Sequence, residues 1–393
     1  SSNIMRAYEI AQICRQHNTQ VVLGGIHASM MPDESLEYVD AVVVGEAESI
    51  WHQVIDDFEN NKLSGKYFAS RVDISRKTVN PRRDLLDSRY FFSSIQTSRG
   101  CPFDCNFCSV SKYLGKKFRQ RCVDDVLDEL SEIKGKYVFF LDDNLIGCTS
   151  ESRNRAKRIF EGMIQRGLNK RWWMQTSIDA ANDRQVLSLA SKAGCMLAFV
   201  GIESISKSTL QKMKKNVNLN TGIQNYKNAI DNFHEHGIGV VGSFVVGNDF
   251  ESIEYYKKLS KFIVKSGIDV VQISILTPLP GTQLYQTMEK EKRLLFTDYP
   301  KDWQKYRLSH VVHQPQGIDI TSIYIGNNYV KNYIYSFPTN QYRLLRSFVK
   351  IKNLINFYAI YKFNKAMRKS WKYSHYYNLY PKKFFKESTA YKL

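Results

Sequence analysis

The chain has 393 residues, 43% of them hydrophobic, and a formal net charge of +18. That length suggests two or three domains with substantial cores, and no apolar run reaches the ~18 residues of a membrane span. The opening residues lack the basic start and apolar stretch of a secretory signal, and seven cysteines in no staple pattern point to a reducing cytoplasm rather than a disulfide scaffold.

Residues 6–17 read as a helix, 20–25 as a buried strand ending in Gly24-Gly25, 40–45 as a second strand, and 46–60 as a helix with Ile50, Val54, Ile55 and Phe58 at helical spacing. This resembles half of an open doubly wound sheet, which binds ligands at the carboxyl ends of its strands. A helix comes first and two strands are too few for a stable sheet, so an N-terminal portion is expected to precede Ser1. Residues 63–92 read as a linker.

A strand over 93–98 then runs into Ser98-Arg99-Gly100-Cys101-Pro102-Phe103-Asp104-Cys105-Asn106-Phe107-Cys108-Ser109. An iron–sulfur cube usually takes four thiolates. Three close thiolates hold three irons and leave the fourth open to bind and activate a small molecule. A structural zinc knuckle wants a second cysteine pair, which the sequence lacks. Cys14, Cys122, Cys148 and Cys195 read as ordinary buried thiols. Gly100 and Pro102 allow a tight turn around a cube, with Phe103 and Phe107 beside it.

Strands follow at 137–141, 171–178, 196–202, 238–246 and 270–276, with helices at 123–133, 152–166, 183–193, 210–214, 221–236 and 253–266. Six β/α units in a row require parallel strands with helices outside. The expected fold class is α/β: a partial (β/α)6 TIM-like barrel over 93–285, preceded over 1–62 by part of a Rossmann-like domain and followed over 286–393 by a mostly helical, basic C-terminal region. Function belongs at the carboxyl ends of the strands. Asp142 and Asp143 end one strand, Glu203 another; Ser243, Gln175 and Ser177 lie near other strand ends. Carboxylates there suit a cationic amine; the alternative for Asp142 and Asp143 is helix capping. Gly24, Gly25, His27 and Ser29, with Gly45 and Glu46, offer a flat glycine ledge to a large planar ligand. Arg119 and Arg121 are candidates for a carboxylate, or plain surface arginines.

Residues 340–393 carry 13 Lys/Arg, one acid (Glu387) and 14 aromatics, which places most of the net charge in one segment. Phe348, Ile351, Ile355 and Tyr358 recur at helical spacing, with Arg346, Lys350 and Asn353 on another face. That pattern fits a membrane surface, single-stranded nucleic acid or a helical cap on the barrel. The first reading implies a lipid-like substrate.

The CxxxCxxC spacing resembles the radical SAM signature. Val21–Ser29 and Asp40–Glu48 as strings, Phe140-Leu141-Asp142-Asp143-Asn144, Gly201-Ile202-Glu203-Ser204, Thr277-Pro278-Leu279-Pro280-Gly281-Thr282 and Asp302-Trp303, in this order, are similar to the B12-binding-domain radical SAM family, which includes hopanoid and bacteriochlorophyll methylases. The resemblance implies a [4Fe-4S] cluster on Cys101, Cys105 and Cys108, S-adenosylmethionine beside Asp142, Asp143 and Glu203, and cobalamin beside Gly24, Gly25, His27 and Ser29. Ser243 joins the cofactor candidates by its place on the 238–246 strand, and the alternative for His27 is a satisfied loop residue. It implies a cytoplasmic C-methyltransferase acting on an unactivated carbon of a small-molecule or lipid-like substrate, fed by an electron donor such as flavodoxin or ferredoxin. Peripheral contact with the inner membrane surface would run through 340–393. The family's DxHxxG loop would fall before Ser1. The look-alike at Asp231, His234 and Gly237 has one residue too many and reads as an exposed helix end with a glycine stop. The alternatives are a radical SAM enzyme of cyclisation, rearrangement or methylthiolation, and a nucleic-acid-binding protein with a structural metal site. The sequence points to no catalytic acid or base.

Overall fold

Where apolar residues alternate or run together between glycine turns, the chain makes short strands, and parallel strands need helical crossovers to reach their neighbours. The computed structural model describes residues 1–372 apart from 77, 78 and 88. Its strands are β1 (Val22–Leu23), β2 (Ala41–Val44), β3 (Gly65–Phe68), β4 (Phe92–Ile95), β5 (Ser98–Arg99), β6 (Arg119–Gln120), β7 (Tyr137–Phe140), β8 (Arg171–Thr176), β9 (Cys195–Glu203), β10 (Gly239–Val246) and β11 (Val270–Ile275). The chain divides into two compact units.

The first unit gathers residues 1–74, 99–119 and 275–314. Its sheet has the order β1-β2-β3, with both pairings parallel. The third strand lies in the stretch expected as linker: Val43 opposes Tyr67, and buried Val54, Leu63 and Tyr67 share one apolar cluster. The two-strand expectation missed it because Gly65–Phe68 is short and its burial is carried by Tyr67 alone. Helices Ile4–Gln16 and Trp51–Glu59 agree with the expected ones; Ile26–Met30 and Pro32–Leu36 are additional. A second cluster joins Ile4 and Tyr8 to Tyr285, Trp303, Tyr306 and Val312.

The second unit holds residues 75–98, 120–274 and those from Pro315 onward. Its sheet has six strands in the order β11-β10-β9-β8-β7-β4, the six anticipated. The register is parallel from β4 through β10. β10 is buried at every position, as a strand covered on both faces must be. The expected 221–236 helix is split, because Gly222 at φ +79° ends Asn216–Thr221 before Tyr226–Glu235 begins.

The C-terminal region is helical: Ile320–Tyr335, Thr339–Ile351 and Leu354–Lys372. The single amphipathic face expected across 346–358 is interrupted. Lys352 adopts φ +49°, and Asn353 Oδ1 accepts from the amides of Ile355 and Asn356 at 3.1 Å each, which stops one helix and caps the next. Ile351 is accordingly buried while Phe348, Ile355 and Tyr358 stay exposed. The tail beyond Lys372 lies outside the described residues. No helix among them is long and apolar enough to cross a membrane. His234 is not at an exposed helix end: its Nε2 lies 2.8 Å from Asp269 Oδ2, both side chains buried. Of the four scattered cysteines only Cys195 is buried, and Cys122 is exposed at the start of the Val123–Glu132 helix.

Candidate active site

The cysteine loop is built on a glycine that nothing can replace. Gly100 has φ +90°, and a Cβ there would lie 2.3 Å from the Lys117 carbonyl oxygen and 2.9 Å from that of Gly115. With no side chain in the way, the Cys101 amide donates to Gly115 O at 3.2 Å. The Cys108 amide donates to Cys105 O, also at 3.2 Å, so these two thiols share one tight turn. The Leu284 amide donates to Asn106 O at 3.0 Å, which ties the turn to the helix Gln283–Lys290. Cys105 is buried, Cys101 and Cys108 are half-buried, and none of the seven cysteines is in a disulfide. Phe103 and Phe107 are half-buried in the same loop.

Both ends of this loop are clamped by one carboxylate. Glu46 is 4% exposed; it accepts from Arg99 at 2.7 Å and from Arg119 through both of its oxygens, one at 2.9 Å. Arg99 also reaches Glu48 at 2.6 Å, and Arg119 donates to the Val72 and Leu114 carbonyls. Burial disfavours the Glu46 charge, but the two guanidinium groups outweigh it and hold the carboxyl below its usual range. Arg119 is therefore a structural clamp. So is Arg121, bonded to Asp125, Glu129 and the Gln96 carbonyl. Neither matches the expectation of an arginine held for a ligand carboxylate or left at the surface, because buried carboxylates claim both first.

The Gly24-Gly25 ledge ends β1. Gly24 and Gly25 are exposed, and nothing stands within 4 Å of a Cβ at Gly25, whose φ is +90°. Ser29 Oγ accepts from the Gly45 amide at 3.0 Å and so joins the ends of β1 and β2. His27 turns away from the ledge: it is buried, with Nδ1 3.0 Å from Ser1 Oγ and Nε2 3.2 Å from Glu34 Oε1. Glu34 accepts also from Tyr8 at 2.9 Å and from Trp303 Nε1 at 2.8 Å. Burial pushes its carboxyl up, and these three donors bring it below its usual range.

In the second unit the remaining candidates collect at the carboxyl ends of the strands. Asp142 follows β7 and is fully buried. Its oxygens accept from the Thr97 amide at 3.1 and 3.2 Å, from Thr97 Oγ1 at 2.8 Å, and from Ser98 Oγ. Thr97 also binds Arg155 through its carbonyl at 2.8 Å. Asp142 thus fixes the segment that leads from β4 into the cysteines; it caps no helix. Burial raises its carboxyl above the usual range in spite of these donors. Asp143 differs: it is half-buried, and burial, with the Asp142 charge beside it, pushes its carboxyl up to about 6. Asn144 staples β7 to β8, holding Ser177 Oγ at 3.2 Å and accepting from Thr176 Oγ1 at 3.2 Å. Ser177 is engaged in turn by Asp179.

Glu203 ends β9 in the left-handed region, at φ +64°. The β9–β10 register slips there: Gly201 opposes Ser243, whereas Glu203 opposes Phe244. A bulge of this kind re-aims a side chain, and backbone strain persists where the surroundings over-determine it. Glu203 is buried and paired with Lys215 at 2.9 Å. A Cβ at Gly201 would come 2.5 Å from Glu203 Oε1 and 3.0 Å from Lys215 Nζ, so this glycine makes the room for the pair. Ser243 is buried across the ladder from Gly201. The structure thus brings Glu203 and Ser243 together on neighbouring strands. Asp142 and Asp143 stand at the end of β7 in the same six-stranded sheet, separated from β9 by β8.

Sequence reasoning missed Glu34, Thr97, Lys215 and Glu251. Glu251 is buried after β10, accepts from the Gly247 amide and Asn248 Nδ2 at 2.8 Å each, and is pushed by burial to about 7. Each pairs with a residue whose sequence distance varies from 3 to 269 positions, so no one local spacing marks them. Asn144 was visible inside the motif that carries Asp142.

The donor set fits an iron–sulfur cube. Three soft thiolates stand on one glycine-dependent loop. Among the described residues no three His, Cys, Asp or Glu side chains converge on a point that one ion could occupy; a cube takes a different iron for each thiolate, so its ligands need not converge.

Residues 95–263 match the family described as Radical SAM superfamily. The chain is 30% identical over 347 residues to the bacteriochlorophyllide d C-12(1)-methyltransferase of Chlorobaculum tepidum, covering 84% of this chain and 71% of that one. It is 28% identical to the bacteriochlorophyllide d C-8(2)-methyltransferase of the same organism, covering 92% and 81%. The solved structure of the cobalamin-dependent S-adenosylmethionine radical enzyme OxsB, with aqua-cobalamin and S-adenosylmethionine bound, shares the fold at a TM-score of 0.68 and 17% identity, covering 94% of this chain and 62% of that one. The chain therefore spans about three fifths of that structure's length. With the thiol loop, the parallel sheet and a 30% identical methyltransferase in hand, the chain belongs to the radical SAM superfamily, among its methyltransferase enzymes.

Proposed function

We propose that the chain is a C-methyltransferase that works with a [4Fe-4S] cluster, S-adenosylmethionine and cobalamin on an unactivated carbon of a polycyclic or lipid-like substrate. The observation that carries the reading is the Gly100-dependent loop with Cys101, Cys105 and Cys108, in a chain whose relatives are named for methyl transfer to bacteriochlorophyllide. When bound, these groups supply one-electron cleavage of the sulfonium and a methyl carrier; the protein supplies position and dryness.

Cys101, Cys105 and Cys108 hold the cluster. Asp143 receives the amino group of S-adenosylmethionine: a carboxyl raised by burial and by a like charge gains most from a cation. Glu203 and Ser243 hold the adenosine side, with Lys215 keeping Glu203 in place. Asp142 is a positioning residue, through Thr97 and Ser98. The exposed Gly24-Gly25 ledge, braced by Ser29, takes the flat face of cobalamin. His27 is held by Ser1 and Glu34 and takes no part as an axial ligand. The electron donor is a small redox protein such as flavodoxin or ferredoxin.

Anaerobic reconstitution, followed by reductant and S-adenosylmethionine, tests the reading. Methyl transfer requires both 5′-deoxyadenosine and S-adenosylhomocysteine. Deoxyadenosine alone supports cyclisation or rearrangement instead.

A further inference from the structure

The Leu354–Lys372 helix closes the amino-terminal end of the six-stranded sheet. It is held there by Asn356 Nδ2 on the Gly237 carbonyl and Asn364 Nδ2 on the Asp269 carbonyl, each at 2.8 Å. Ile360 is buried with Met196, Leu197 and Val241. The fit is incomplete. Beside the helix remains a cavity of about 370 Å³, lined by Phe92, Tyr137, Trp173, Met196, Tyr358 and Phe363 among others. Phe92 and Tyr137 begin β4 and β7, so the cavity lies at the end of the sheet away from the cofactor candidates.

The chemistry of the lining selects the ligand. Aromatic and aliphatic walls exclude a polar molecule, and the volume is at the small end of the ~300–1,000 Å³ of ligand pockets, room for one alkyl chain. The cavity opens at the surface, since its wall residues Phe91, Ile355 and Tyr358 are 46–63% exposed. Lys362 is the charged residue on the lining, with Nζ 5.2 Å from the Tyr358 ring centroid, so an anion is favoured at the mouth. In the same unit, Tyr90, Leu345, Val349 and Leu354 are further exposed apolar side chains. Residues 339–369 contain no acid, while Lys352, Lys362, Lys365, Arg368 and Lys369 are exposed. Exposed apolar side chains interleaved with cations form an interfacial surface, and charge of one sign commits it to an anionic bilayer.

We propose that this slot takes one acyl chain of an anionic phospholipid, with Lys362 at its headgroup, and so docks this end of the sheet on a membrane surface. The proposal sharpens the lipid-surface reading of residues 340–393 and is independent of methyl transfer, because no residue of the slot is assigned to a cofactor.

The test is co-sedimentation of the full chain with phosphatidylcholine vesicles, with and without phosphatidylglycerol, combined with tryptophan quenching by brominated acyl chains. The expected result is binding that needs phosphatidylglycerol and weakens with salt, with bromine quenching that is lost in Trp173→Phe. Ile355→Glu with Lys362→Glu, both exposed, lowers partitioning roughly tenfold or more. Thermal melts of each variant confirm that folding is intact. Three results overturn the proposal: vesicle binding without quenching, quenching by a monomeric brominated fatty acid without vesicle binding, and no binding to anionic vesicles at low salt. Product analysis on the same preparation reads the methyl-transfer assignment separately.

Discussion

The two ends of the six-stranded sheet are made of opposite materials. At the carboxyl ends of the strands stand Asp142, Asp143, Asn144, Glu203 and Ser243, with one residue in the left-handed region and one register slip. At the amino ends stand Phe92, Tyr137, Trp173 and Met196, covered by a helix that carries Ile360 and Phe363, with the buried Asp269–His234 pair and a register slip at Trp172/Trp173. Burying carboxylates costs several kcal/mol unless each is paired, whereas burying aromatics stabilises by about 25 cal/mol per Å². Paired carboxylates stand at both ends: Asp269 with His234 before β11, and Glu203 with Lys215 at the end of β9. The contrast is therefore between a carboxyl end rich in charged side chains and an amino end walled mainly by aromatics.

Breaking the cysteine loop has the largest effect. Replacing Cys101, Cys105 or Cys108 with alanine abolishes detectable cleavage of S-adenosylmethionine and lowers bound iron, while circular dichroism stays unchanged. Glu46→Ala comes next. It leaves Arg99 and Arg119 without their shared buried partner, a loss of about 3–5 kcal/mol for a broken buried pair, read in denaturant melts together with iron content. At Glu203, the change to Gln removes the partner of Lys215 and weakens S-adenosylmethionine binding about tenfold or more, while iron content is unaffected.

Asp143→Asn acts in the opposite direction on stability. Burial raises its folded carboxyl to about 6, so ionising it opposes folding. That cost is absent below the unfolded value near 3.8, grows between the two, and is full above about 6. The variant is more stable than the parent at pH 8 by about 3 kcal/mol, equal to it below pH 4, and weaker in S-adenosylmethionine affinity at pH 8. Melts at the two pH values and a binding titration check this. The smallest effect belongs to Glu34, whose folded carboxyl is held low. Its stabilisation is present above the usual carboxylate range and is lost as pH falls through the lowered folded value, so acid unfolding begins at higher pH once it is changed to Gln.

Much of this was legible because its signals are local. Three thiols in eight positions, the Phe140–Asn144 string and six runs of apolar residues between glycines stand in the sequence as they stand in the fold. The roles of Asp142 and His27 were not legible. Asp142 was read as facing a ligand or capping a helix, and His27 as a ledge candidate or a satisfied loop residue, but neither partner was visible: Asp142 meets Thr97 across 45 positions, and Glu34 unites His27, Tyr8 and Trp303. A buried polar group finds its partner in three dimensions, so periodicity says which face it occupies and not what it binds. Arg119 and Arg121 misled for the same reason. The third strand of the first unit was hidden by its length of four residues.

The most direct measurement is the electron paramagnetic resonance spectrum of the anaerobically reconstituted, reduced chain before and after S-adenosylmethionine is added. The account predicts a [4Fe-4S] signal, about four irons per chain, that shifts on addition because one iron has a position open to the sulfonium ligand. A chain that binds zinc or no iron, or a cluster signal that S-adenosylmethionine leaves unmoved, would contradict it.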